Sequence, residues 1–543
     1  MSASSKKKLR HEQEAAKMTE RQLAEQKEAK KVKIYTIAFT VVLIALLVIA
    51  ITVGVTQSIA NSGSREKNTV AMTAGSHEIS NAELNYYYID TVNNFYSQNA
   101  SYAALFGMDL SQPLNEQVMD PETGDTWADY LLDSAKSTAT SVYAMNDAAA
   151  AAGFVIPEDV EATVDSTVTT MSMYASIYGY ADLETYLKTM YGKGASEEGY
   201  RNYIRMSLLA DAYNNAYSES LVYDDAALRA AEADNFHKYS AFTYNYYYLA
   251  ASRFLEGGTA DENGTVIYSD EETAASVAAA KEAAQSLAGK DITTVEALDA
   301  AIAALPVNKD VASAVSTYYD NNAYGNIPAV VAEWLTDASR KEGDLTWLEN
   351  STTDAEGNTT INGYYVIYFH NVNDNAFALK NVRHILVSFE GGTADEYGNT
   401  TYSDEEKATA KAKAEEILAE FQAGAASEDS FASLATLKSG DSGSVSTGGL
   451  YEDIYPGQMV VAFENWCFDE SRKTGDTGIV ETEYGYHVMY FVGDSDVTYR
   501  DFQITNELHS ADLAAWQESI IGSMTVVDGD TQYIPMNMVL SST

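Results

Sequence analysis

The chain has 543 residues, with 34 Lys/Arg against 79 Asp/Glu and a formal net charge of −45. Such acidity argues against DNA or RNA as a partner, because their binding rests on cations that neutralise phosphates. A single cysteine, Cys467, rules out an intramolecular disulfide, so the folded parts must be stable through their apolar cores, which the length allows.

The first 33 residues carry ten Lys/Arg and five Asp/Glu, which leaves −50 for the rest. Residues 34–60 hold no charge, and Ile34 to Val55 is almost wholly apolar. Crossing a bilayer takes about 20 such residues. A cleavable signal peptide has an apolar stretch of only about 7–15 residues and a small-residue cleavage site. This stretch is longer, its basic flank is long, and no cysteine lies near it to carry a lipid. The pattern predicts an uncleaved transmembrane anchor over 34–56, with tail 1–33 cytoplasmic by the positive-inside rule and the bulk outside.

Asn61 to Asn68 reads as a polar linker and Val70 to Ser80 as a small hairpin. Ser80-Asn81-Ala82-Glu83 places an N-cap and an acid at the spacing that opens a helix. Helical patterns continue to about Asn235, over Tyr130–Ala152, Pro157–Ala175, Leu183–Met190 and Ser196–Ser218. Tyr86, Tyr87, Tyr88, Met171, Met173, Tyr174, Tyr178 and Tyr180 fall here. They read as helix core, or in part as an adaptable surface for unfolded chains.

An internal repeat follows. Glu256–Glu272 matches Glu390–Glu406 at 13 of 17 positions. Trp334 and Ser339-Arg340-Lys341-x-Gly343-Asp344 match Trp466 and Ser471-Arg472-Lys473-x-Gly475-Asp476. Gly363-Tyr364-Tyr365-Val366-Ile367-Tyr368-Phe369 matches Gly485-Tyr486-His487-Val488-Met489-Tyr490-Phe491. Residues 241–372 are therefore an upstream copy of 373–496. His487 aligns with Tyr365, Met459 with Ile327 and Phe463 with Val331; His384 falls near Tyr248 if two residues are inserted. The acidic Asp-Glu-x-Gly segments (Asp261, Glu262, Asn263; Asp395, Glu396) lack EF-hand spacing and read as hairpin tips rather than calcium loops.

The downstream copy opens with Arg383-His384-Ile385-Leu386-Val387 and closes with Tyr484-Gly485-Tyr486-His487-Val488-Met489-Tyr490-Phe491. Each end is a β-type run with one histidine, and side-by-side strands would bring the two imidazoles together. Between them lie helical runs at Glu405–Phe421 and Phe431–Leu437, a Gly/Ser-rich loop with Gly448-Gly449-Leu450, and Gly457-Gln458-Met459 followed by Phe463. The ordered set His-Ile-Leu-Val, Gly-Gly-Leu, Gly-Gln-Met…Phe and Gly-Tyr-His-Val resembles the parvulin family of peptidyl-prolyl isomerases, over about a fifth of the chain. The whole chain resembles the PrsA/SurA-like extracellular foldases of Gram-positive bacteria.

That resemblance implies an α+β multidomain protein. Behind the anchor would come a mainly helical chaperone domain (57–240, completed by 497–543) and two tandem parvulin-like domains (241–372, degenerate; 373–496, active). It implies His384, His487 and Asp441 as the polar catalytic set and Leu450, Met459 and Phe463 as the prolyl pocket. It implies no cofactor and no metal. Its partners would be unfolded secreted polypeptides, with the membrane as attachment and room for a homodimer. The acidic loop after His384 argues against a phosphorylated substrate. A non-catalytic holdase or surface-binding protein is the competing class, although it has no use for the histidine pair. No Gly-x-Ser-x-Gly, His-Glu-x-x-His, Cys-x-x-Cys or P-loop points to other chemistry. Cys467, beside Trp466 with no histidine adjacent, reads as a buried thiol.

Overall fold

The computed structural model describes residues 6–8, 10, 31, 62–234, 236–260, 264–289, 291–311, 313–395 and 399–540. The expected anchor, 34–56, lies outside the described residues; among those described, no helix is long and apolar enough to cross a membrane. The chain divides into two compact units: residues up to Leu221 together with those from Asp512 onward, and Val222–Ala511.

In the first unit, β1 (Val70–Ala74) and β2 (His77–Ser80) form the expected hairpin. A C-terminal strand, Val526–Asp528, pairs with the other edge of β1, Met72 opposite Asp528. Ser80 caps α1 (Asn81–Asn99), its side chain accepting from the Glu83 backbone N–H at 3.2 Å. Four more helices follow in this unit: α2 (Trp127–Ala151), α3 (Asp159–Ile177), α4 (Leu183–Tyr191) and α5 (Glu197–Ser220). Tyr86, Tyr87 and Tyr88 are core residues, and the Tyr86 ring lies 5.0 Å from Tyr191 and 5.4 Å from Tyr203. Burying such rings supplies much of the stability that cross-links cannot. Met173, Tyr174 and Tyr178, toward the end of α3, are exposed.

The second unit contains two four-stranded antiparallel sheets. The upstream sheet uses β3 (Ala241–Ala250), β4 (Thr317–Ala323), β5 (Leu345–Thr353) and β6 (Thr359–Asn373) in the order β4-β3-β6-β5. The helices α6 (Asp270–Leu287) and α7 (Val295–Ala304) cover one face, and the short α8 (Ala329–Leu335) covers the other. The downstream sheet repeats the plan. Its strands are β7 (Ala378–Ser388), β8 (Leu450–Ile454), β9 (Thr477–Thr482) and β10 (Gly485–Thr498), in the order β8-β7-β10-β9. Its faces are covered by α9 (Asp404–Ala423) with α10 (Glu428–Lys438), and by α11 (Val461–Cys467). Period-two alternation sorts β10: Tyr486, Val488 and Tyr490 pack toward α9 and α10, while Met489 and Phe491 pack toward α11. The last helix, α12, spans Tyr499–Ile521.

The repeated sequence blocks have structural causes. The Arg340 guanidinium lies over the Trp334 ring at 4.0 Å and its Nε donates to the Trp334 carbonyl; Arg472 does the same with Trp466 at 4.2 Å. Gly343 N–H donates to Phe369 O and Gly475 N–H to Phe491 O, closing the same corner twice. Glu272 and Glu406 each cap a helix and also accept from Gly258 and Gly392. The short acidic hairpins are present as strand pairs Thr259–Ala260/Val266–Ile267 and Thr393–Ala394/Thr400–Thr401. Their tips, 261–263 and 396–398, lie outside the described residues.

One alignment is corrected. Met489 lies opposite His384, and its counterpart Ile367 lies opposite Tyr246. Tyr246, not Tyr248, therefore occupies the place of His384. The turn Ala251–Phe254 adds four residues between strand and loop in the upstream copy, not two.

Candidate active site

β7 and β10 are neighbours, and their register sets His487 opposite Leu386 and His384 opposite Met489. The two histidines are thus diagonal neighbours on one face, within reach of each other. Their Nδ1 atoms lie 3.0 Å apart and their rings stack at 5.2 Å with a 21° tilt. Both are nearly enclosed, 3% and 6% exposed. Phe463, from α11, stands edge-on to both rings at 5.4 and 5.3 Å.

Asp441 Oδ2 lies 2.8 Å from His384 Nε2 and accepts from Tyr451 OH at 3.0 Å and from Ser444 Oγ; its Oδ1 accepts from Gly443 N–H at 3.1 Å. At the other end, Thr482 Oγ1 lies 2.9 Å from His487 Nε2. Burial works to raise the Asp441 pKa, but the bonds from Ser444, His384, Gly443 and Tyr451 outweigh it and hold the carboxyl well below the usual range. Burial lowers His384 against the pull of Asp441. It lowers His487 to about 4, helped by repulsion from His384. Both rings are neutral near pH 7.

These states fix the protons. His384 Nε2–H donates to the ionised Asp441, so His384 Nδ1 is bare and accepts from His487 Nδ1–H. His487 Nε2 then accepts from the Thr482 hydroxyl. The result is one directional chain, Thr482 to His487 to His384 to Asp441.

The Gly/Ser loop is held to this network through the backbone. His384 N–H donates to Gly449 O at 2.8 Å, and Arg383 donates to the carbonyls of Thr447 and Gly448. Gly449 has φ +74°, and a Cβ there would fall 2.2 Å from the His384 carbonyl oxygen, so glycine is required.

Five of the six expected site residues come together. His384, His487, Asp441 and Phe463 are in direct contact, and Met459 packs, half-buried, against the Phe463 cluster. Leu450 does not join them. It pairs with Arg383, whose guanidinium reaches Glu428 of α10, and so faces the opposite side of the sheet from the histidines. Tyr451 pairs with Val382, on the histidine side, and its ring lies 5.3 Å from that of His384. The motif Gly-Gly-Leu pointed to the right loop but to a residue one position early. Sequence reasoning also missed Ser444 and Thr482. Thr482 is detectable only through the β9–β10 hairpin, where it lies opposite Gly485. Nothing in the sequence marked Ser444 among its serine neighbours. Cys467 is fully buried, with burial pushing its thiol up to about 12, which is no nucleophile. Among the described residues, no group of three His, Cys, Asp or Glu is arranged to hold a metal.

A β8-β7-β10-β9 sheet with helices on both faces and a histidine pair between central strands defines a parvulin-type domain. Residues 364–493 match the family model of the PPIC-type PPIASE domain. Within that class the chain is PrsA-like. It is 30% identical over 162 residues to foldase protein PrsA 1 of Listeria innocua, a match spanning 29% of this chain and 44% of that relative. The chain thus spans under half the length of the curated relative it matches. Among solved structures, PrsA of Bacillus subtilis is 16% identical over 75% of this chain and 91% of its own, with a TM-score of 0.23. PrsA of Bacillus anthracis is 22% identical over 28% and 59%, with a TM-score of 0.17.

Proposed function

We propose that the chain is a membrane-anchored foldase that binds unfolded exported polypeptides outside the cell and isomerises their X-Pro bonds. The observation that carries the isomerase reading is the buried, neutral His384–His487 pair fixed between Asp441 and Thr482 beside Phe463. Amide rotation has a barrier of about 18–20 kcal/mol, because twisting removes the C–N double-bond character. Lowering it takes a site that grips the ring, sheds water and favours the twisted amide over both planar forms. Phe463 and Met459 offer the apolar grip. The histidine chain offers donors and acceptors that need not change protonation during turnover.

The upstream sheet is proposed as a second parvulin-like domain without isomerase activity. Tyr246 and Tyr365 stand at the register positions of His384 and His487, their rings 6.1 Å apart. Tyr248, directly opposite Tyr365, brings its ring to 4.9 Å from it, and its hydroxyl accepts from Asn350 at 3.0 Å. The helical first unit is proposed as the chaperone part, with 497–543 completing it; the pairing of Val526–Asp528 with β1 supports this for the stretch from Asp512 onward, while 497–511 groups with the second unit. The anchor over 34–56 and the cytoplasmic tail rest on the apolar run and its basic flank.

The deciding measurement is prolyl isomerisation of a short X-Pro peptide by the full chain. Acceleration lost in His487→Ala supports the reading. No acceleration over background favours a pure holdase. Protease added to wall-free intact cells tests the topology: the outer domains should be shaved and the tail spared.

A further inference from the structure

A cavity of about 660 Å³ opens in the second unit beside the loop that carries Met459. Its walls come from both sheets, from the connection at Asn375 and Phe377, and from the first turns of α12. It shares parts with the candidate prolyl pocket. Pro456 and Gly457 line it three and two positions before Met459, and Glu464 lines it one position after Phe463. Gly457 N–H donates to Glu464 at 2.6 Å, tying loop to helix. Tyr455, at the start of the loop, stacks on Phe502 at 4.8 Å.

Aromatic rings, carboxamides and the carboxylates of Glu464 and Glu470 line it. Phe377, Phe468 and Tyr499 form a half-buried aromatic wall, with Phe377 6.0 Å from Phe468 and 5.6 Å from Tyr499. Asn321, Asn373 and Gln503 line it with carboxamides; Asn373 donates to Asn321 at 3.3 Å and Asn321 to Asp320 at 3.2 Å, whereas Gln503 Nε2 donates to no protein acceptor among the described residues. Carboxamides offer a donor and an acceptor side by side, which matches a peptide main chain rather than a phosphate or a metal. The cavity's cation is already neutralised, since Lys380 is paired with Asp494 at 2.6 Å. The backbone is also unusual here. Asn321 (φ 44°) and the buried Asn375 (φ 56°) sit in the left-handed region, Asn321 beside a bulge between Phe242 and Tyr244. Bulges and left-handed residues of this kind re-aim side chains and persist where the surroundings hold them.

We infer that this cleft is a second binding subsite, taking the extended polypeptide segment that flanks the isomerised proline. Its main chain meets the Gln503 carboxamide and one apolar side chain lies on the aromatic wall. The cleft shares its loop and helix with the prolyl pocket, which sets the two subsites side by side for one client segment. This rests on the foldase reading above.

The test compares one X-Pro bond in a tetrapeptide with the same bond in two twelve-residue peptides, one extended on each side with a phenylalanine in the extension. On the full chain, one of the extensions should raise kcat/KM about tenfold, through KM. That ratio should fall to near one in Gln503→Ala and in Phe377→Ala, and Phe377→Leu should restore part of it. Fluorescence polarisation of the labelled long peptide reads the same subsite without turnover, and its Kd should rise about tenfold in both alanine variants. A length ratio of one in the wild type, or equal ratios and equal Kd in wild type and variants, overturns the subsite. A wild type that binds the long peptide through Gln503 and Phe377 yet isomerises nothing overturns the foldase reading and leaves the cleft standing.

Discussion

His384 and His487 face each other through like atoms, Nδ1 to Nδ1 at 3.0 Å, so exactly one proton can lie between them. A second proton on His384 would set two N–H groups against each other.

The pH dependence follows from that geometry. An unfolded histidine titrates near 6.5, whereas folded His487 titrates near 4 and His384 is lowered as well. Between those values the unfolded chain binds more protons than the folded one. The pair's contribution to stability is therefore complete above pH 6.5 and is lost as the pH falls toward about 4. Isomerase activity should stay level from pH 8 to about 6 and collapse near 4, measured by exchange NMR on a peptide substrate beside a urea-midpoint series.

Asp441→Asn keeps the shape but puts a neutral amide where an ionised carboxylate collects four donors. The rate should drop by about tenfold or more, the size typical of a positioned polar group. The His384 imidazole should titrate lower still, since the carboxylate is what draws it upward. Nitrogen-detected NMR of the ring reports both. A wild-type ring titration in the variant would contradict the assigned proton chain.

Thr482→Val removes the hydroxyl that fixes the His487 tautomer while preserving volume. It should lower kcat/KM by several-fold and free the His487 ring to exchange tautomers, visible in its carbon shifts.

Gly449→Ala meets both a left-handed backbone and the His384 carbonyl at 2.2 Å. A loss of about 2 kcal/mol or more in the stability of this domain is expected from urea unfolding. A change under 0.5 kcal/mol would mean the loop relocates freely.

In the full chain, the double variant His384→Ala/His487→Ala should leave no isomerase activity above background. Residual acceleration would have to come from the tyrosine-bearing upstream sheet.

Much of the domain architecture was legible because its marks are main-chain devices. The Gly-Tyr-x-Val-x-Tyr-Phe run alternates faces, and the Ser-Arg-Lys corner needs its arginine over a tryptophan. Both blocks read directly as a duplicated sheet. The histidines stand as points in an ordered motif, whereas Asp441 comes from the resemblance alone. The failures came where position depends on register. The resemblance puts Leu450 in the prolyl pocket, but β8 begins at that residue and alternation sets Tyr451, not Leu450, on the histidine face. A two-residue insertion sets Tyr248 near His384, but the four-residue turn shifts the strand and places Tyr246 there. Ser444 and Thr482 arrive from a loop and a hairpin partner, and no local periodicity carries such information.

The lone thiol at Cys467 is 0% exposed and packs with Trp466, Phe463 and Phe491 against β10, one shell behind the histidines. No second cysteine competes with it. The domain therefore carries its own clock: an alkylating or disulfide reagent added to the intact protein can react only during the moments when this core opens. The rate of that single modification counts those openings one by one, without a label and without disturbing the surface that clients would touch.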